Sequence, residues 1–122
     1  MNLKFLFTQT IENSGATITR DGERLTKGVG FLVSREGYET RIAGTLDYPT
    51  FVSCLLEYQT LINESVELAG CVVGFWYSEL TSAWYIDVSE RILDRGIAER
   101  LGKHRKQLAI FDLENGEAIS LA

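Results

Sequence analysis

The chain has 122 residues, 45% hydrophobic and 24% charged, with a net charge of −5, two cysteines and one histidine. That fits a single globular domain over 1–122, able to bury roughly two-thirds of the surface it exposes when unfolded. It excludes a disulfide-stapled scaffold, a long disordered chain and a zinc site built from closely spaced Cys and His, and the acidic balance argues against a general nucleic-acid binder.

Taken in order, residues 3–11 are apolar and β-favouring and predict a strand. The run is too short for a signal peptide, and no stretch reaches the roughly 18 apolar residues of a membrane span, so the expected location is cytoplasmic. A turn at Asn13-Ser14-Gly15 leads to a short strand at 16–20, and Asp21-Gly22 signals a hairpin. Strands are expected at 29–34 and 38–43, joined by a turn at Glu36-Gly37. Asp47 and Pro49 mark a helix start, and Tyr48, Phe51, Leu55, Tyr58 and Ile62 repeat at three- and four-residue steps to about Glu64. Residues 70–77 and 83–89 form an apolar hairpin. Asp94 caps a second helix, with Ile97, Ala98, Leu101 and Leu108 on the expected buried side. Gly96 and Gly102 weaken it by about 1 kcal/mol each relative to Ala. The chain ends in a hairpin, 108–113 and 118–121, around Asn115-Gly116. The expected fold is therefore α+β: a mainly antiparallel, hairpin-rich sheet of about six to eight strands, with two helices packed on one face.

Charge is unevenly placed. Seven acids and no Lys or Arg lie between Ile42 and Glu90, and six bases with two acids lie between Arg91 and Lys106. The basic group Arg91, Arg95, Arg100, Lys103, His104, Arg105 and Lys106 surrounds the second helix. Cations at a helix C-terminus are favoured by its dipole, which accounts for the last of them without a ligand. Alternatively they form an anion-binding surface. Trp76, Tyr77, Trp84 and Tyr85 crowd one hairpin. Strand alternation sends each adjacent pair to opposite faces, so two of the four point away from the helix-covered core unless a second layer hides them. Trp76 and Trp84 are the candidate contact aromatics.

Catalytic signatures are missing. Cys54 and Cys71 read as core thiols, and nothing pairs either with His104. Asp87 and Asp112 each end an apolar strand and could share a site only if those strands are neighbours. Gly28-Val29-Gly30 lacks the further glycine and helix of a dinucleotide fingerprint. Neither a cofactor nor a metal is expected.

Four segments resemble a loose group of small phage, plasmid and conjugative-element proteins of no assigned activity. They are Gly28-Val29-Gly30-Phe31-Leu32-Val33-Ser34 with Gly37-Tyr38-Glu39; Val73-Gly74-Phe75-Trp76; Trp84-Tyr85-Ile86-Asp87-Val88-Ser89; and Gln107-Leu108-Ala109-Ile110-Phe111-Asp112-Leu113. The chain departs from that group around Ser53-Cys54-Leu55, which is more apolar. The resemblance implies a mobile genetic element, whose small proteins often antagonise host defence or manage transfer. With no chemical motif, the expectation is a non-catalytic binding protein acting on another macromolecule, with a protein as partner and the 71–89 hairpin as the contact of a homodimer. The alternative is a small-molecule or nucleotide/nucleic-acid binder that uses the basic helix end and the hairpin aromatics.

Overall fold

The computed structural model describes residues 2–122. Among the described residues three α-helices, not the two expected, accompany six strands in one curled antiparallel sheet. The strands are β1 (Gly15–Ile18), β2 (Phe31–Ala43), β3 (Val72–Ser78), β4 (Ala83–Ile92), β5 (Ala109–Asp112) and β6 (Glu117–Ser120), and their spatial order is β1-β3-β4-β2-β5-β6.

The extra helix is α1, Leu3–Glu12, where a strand was expected. Asn2 caps it, its side-chain oxygen accepting from the Phe5 N–H at 3.0 Å. Leu3, Leu6, Phe7 and Thr10 recur at helical spacing, and Leu6 and Thr10 are buried. Phe7 packs on Tyr48 and Phe51, with both ring separations 5.4 Å. Tertiary packing of this stripe outweighs the β preference of Phe5, Thr8 and Ile11.

A second correction concerns 29–43. The expected turn at Glu36-Gly37 is a bulge within one long strand, β2. Ser34 faces Ser89 and Glu39 faces Asp87, so the ladder is interrupted at 35–38, where Gly37 has φ +85°. A bulge bends its strand and sharpens the local twist, and it puts Ser34 and Glu39 beside the same neighbour.

The remaining elements follow the sequence closely. Helix α2 (Tyr48–Glu64) starts on Asp47, which accepts from the Thr50 N–H at 2.9 Å. Strands β3 and β4 form the hairpin. Helix α3 (Arg95–His104) starts on Asp94, which accepts from the Ile97 N–H at 2.9 Å. Ala98 is buried, but Ile97 is half exposed and Leu108 lies beyond the helix, almost fully exposed. Gly102 is a contact point: a Cβ there would lie 2.6 Å from a Leu121 methyl and 3.0 Å from Ile110. The glycine thus lets α3 approach β5 and the chain end.

The core has a main part and a smaller one. Phe51, Leu55, Tyr58 and Ile62 of α2 pack with Val73 and Phe75 of β3 and Trp84, Ile86 and Val88 of β4. Ala98 of α3 packs with Val33 and Ile110. Val33 lies opposite Glu90, in the same alternation as Val88, so both sets of sheet side chains project the same way. The residues between them project the other way: Leu32, Ser34 and Glu39 of β2, Gly74 and Trp76 of β3, and Tyr85, Asp87 and Ser89 of β4.

Candidate functional site: a trough around a buried carboxyl

The second set lines a trough of about 970 Å³. Its apolar end is lined by Leu25, Leu32 and Leu113; Leu32 and Leu113 cluster with Val72, and Leu25 packs across them from the segment that precedes β2. Arg91 holds that segment, its Nε donating to the Val29 carbonyl at 2.6 Å. At the other end Trp76 and Tyr85, directly opposite in register, stack with ring centres 4.5 Å apart and planes 17° apart.

Asp87 lies between these ends and is 8% exposed. The Ser34 hydroxyl donates to its Oδ2 at 2.9 Å, and the Ser89 hydroxyl reaches Oδ1 at 3.5 Å. The two hydroxyls are 3.3 Å from each other. Burial pushes the Asp87 carboxyl up to about 6; the Ser34 bond opposes this, and the charge of Glu39 across the ladder adds to it. Among the described residues no Lys or Arg forms an ion pair with Asp87.

Gly74, opposite Asp87 on β3, makes room for it. A Cβ at Gly74 would lie 2.5 Å from Asp87 Oδ1, so the carboxyl occupies the space a side chain would take. The glycine therefore belongs to the same unit as the acid, and the sequence showed only a glycine inside an apolar strand.

The candidate residues separate. Trp76 is 45% exposed on the trough side, whereas Trp84 is 5% exposed, packed beside Tyr77 on the core side. Trp84 also lines a second, more open hollow of about 650 Å³ beside α1. Asp87 and Asp112 do not share a site. Strand β2 lies between theirs, and Asp112 lies opposite Phe31, in the other alternation. Its carboxyl accepts from the Glu114 and Asn115 N–H groups and the Asn115 amide, closing the last hairpin. The Asn115 bond holds its pKa below the usual value.

The basic residues form no single patch. Arg95 pairs with Glu99 at 2.9 Å. Arg105, only 13% exposed in its side chain, pairs with Glu90 at 2.6 Å and reaches the Val33 carbonyl at 3.4 Å. Arg91 is bound to the Val29 carbonyl, and Lys106, with φ +58°, lines the trough. Arg100, Lys103 and His104 are exposed on α3. Cys54 and Cys71 are free thiols, and burial pushes both upward, away from the thiolate a nucleophile needs.

Among the described residues no group of three or more His, Cys, Asp or Glu side chains is placed to hold a metal ion. No helix is long and apolar enough to cross a membrane.

The serines and Asp87 can exchange hydrogen bonds with a guest, and the aromatic pair can stack against one. Sequence reading missed this unit because Ser34, Gly74, Asp87 and Ser89 come from three strands and meet only through register. Comparisons with protein families, with curated proteins and with solved structures found no match to this chain.

Proposed function

We propose that this is a binding protein without chemistry of its own, and that it holds a small molecule in the trough of the sheet. The observation that carries this reading is Asp87: a carboxyl 8% exposed, on the wall of a cavity of about 970 Å³, with a raised pKa. Burying a carboxyl without a cation is unfavourable. Such groups concentrate where a protein meets a ligand. The size falls within the range of small-molecule sites, and the mixture of apolar ends with a few polar groups is their usual make-up. In the mobile-element setting that the resemblance implies, such a protein acts by withdrawing a ligand or by presenting it to a partner.

Native mass spectrometry tests this. The protein, incubated with the low-molecular-weight fraction of a cell extract, is expected to carry a bound mass that Trp76→Ala loses. An unliganded spectrum throughout overturns the reading.

A second reading, self-association through the 71–89 hairpin, is favoured by two exposed apolar side chains on it, Leu80 at its tip, 95% exposed, and Trp76, 45% exposed. Sedimentation at rising concentration separates the two: dimers abolished by Leu80→Ser support the second, and a monomer at every concentration removes it.

A further inference from the structure

The geometry points to a ligand class for the trough: a flat nitrogen heterocycle with an amidine edge, a ring nitrogen next to an amino group, as in aminopyrimidines and aminopurines. This rests on the binding reading above and narrows it.

Three features select that chemistry. First, a carboxyl offers two coplanar oxygens, which match the two nitrogens of an amidine edge in a paired, two-bond contact. Each oxygen of Asp87 receives one serine hydroxyl, and the Trp76 side chain gives the carboxyl a third hydrogen bond, so the amidine edge takes the remaining acceptor position and replaces the Trp76 donor at its second.

Second, the pair is insensitive to where its proton lies. A protonated Asp87 meets a neutral ring, and an ionised one meets a protonated ring. In both cases the contact carries no net charge, so the acid is not left buried beside the guest without a counter-charge. Glu39, opposite Asp87, favours the proton on the acid. The other charged groups lining the trough are Arg24 and Lys106. Arg24 donates to Gln9 at 3.0 Å, and Lys106 lies beside the β5 end. Arg41 acts on the Tyr85 hydroxyl. The β3 neighbours Gly74 and Trp76 bring no charge, so nothing at Asp87 favours a phosphate or a carboxylate guest.

Third, Trp76 is two residues along β3 from Gly74, on the same face as Asp87, and 45% exposed. Its stack with Tyr85 fixes the indole as a shelf for a ring bound edge-on to Asp87. Successive bases stack on aromatic side chains in the same way in nucleic-acid sites.

Titration calorimetry with 2-aminobenzimidazole, 2-aminopyrimidine and adenine tests the inference, with indole as a flat control lacking the edge. Saturable binding is expected for the amidine-edged probes, at least about tenfold tighter than for indole, one tenfold step being 1.4 kcal/mol. Asp87→Asn is expected to weaken them about tenfold or more, and Ser34→Ala, which keeps the carboxyl, less. For a probe more basic than Asp87, affinity should fall about tenfold from pH 7 to pH 5, as the acid takes up its own proton near 6. Far-UV dichroism and the unfolding midpoint check that each variant is folded. Equal binding of indole, or unchanged binding by folded Asp87→Asn, overturns the amidine assignment and leaves the trough as a binding site. If no probe binds while an extract-derived mass is still seen and is lost in Trp76→Ala, the class is wrong and the broader reading stands. If neither appears, both fail.

Discussion

The two faces of the sheet are cut from the same strands, yet they obey different rules. Along β3, Val73 and Phe75 belong to the core, while Gly74 and Trp76 belong to the trough; along β4, Trp84, Ile86 and Val88 alternate with Tyr85, Asp87 and Ser89. The core set is large, apolar and closed. The trough set mixes a glycine, two serines, a buried acid and a half-exposed indole, a poor recipe for stability alone. One face holds the fold, and the other departs from what folding alone requires.

The largest effect belongs to the core. Phe51 is fully buried, 4.9 Å from the Phe75 ring and 5.4 Å from the Phe7 ring. Phe51→Ala should cost about 3–5 kcal/mol in urea unfolding, the usual range for a large aromatic truncation. A loss below about 1 kcal/mol would mean that α1, α2 and β3 do not meet as described.

The trough should respond in the opposite direction. The Asp87 pKa is raised from 3.8 to about 6 by folding. Its contribution is therefore fully favourable below about pH 3.8 and is lost as pH rises through about 6. The two-unit difference is on the order of 3 kcal/mol, unfavourable at pH 7.5. Asp87→Asn removes it, so the variant should be more stable than the wild type at pH 7.5, by up to that amount, and lose the advantage near pH 4. Unfolding at both pH values checks this. An Asn variant equally destabilised at both would show that the serine network supports the fold and carries no stored penalty.

Gly74→Ala sharpens the contrast. Its methyl would lie 2.5 Å from Asp87 Oδ1 and force the carboxyl aside, at a cost of about 1–3 kcal/mol. In an Asp87→Ala background the same methyl meets open space and should be nearly neutral. A double-mutant cycle measures that coupling; additive losses would separate the glycine from the acid.

How much of this was legible in the sequence depends on range. Features set within a few residues were plain: the Asp47 and Asp94 caps, the α2 stripe, the β3–β4 hairpin and the Asn115-Gly116 turn. Helix α1 was misread although Leu3, Leu6, Phe7 and Thr10 stand at helical spacing, because Phe, Thr and Ile also suit strands and only the partner surface decides. The Glu36-Gly37 turn became a bulge because the same glycine serves either, and β4 supplies a continuous template on both sides of it. Of the candidate site, alternation separated Trp76 from Tyr77 and Trp84 from Tyr85, and only the register puts Trp76 beside Tyr85. The link between Ser34, Gly74, Asp87 and Ser89 was out of reach, since no local pattern encodes the register of three strands.

The smallest effects separate the basic residues from both faces. Arg105 reaches Glu90 and the Val33 carbonyl beside the core, so Arg105→Gln should cost about 1–2 kcal/mol through its lost charged hydrogen bonds. Arg100 and Lys103 are exposed on α3, where the helix dipole favours the cation of its last turn, Lys103, by a few tenths of a kcal/mol. The double variant Arg100→Gln, Lys103→Gln should therefore change stability by less than about 0.5 kcal/mol and leave binding of the amidine-edged probes unchanged, with no added sensitivity to salt. If that variant instead lost ligand binding while remaining folded, the site would have to extend along α3 to an anion, and the trough would be only part of it.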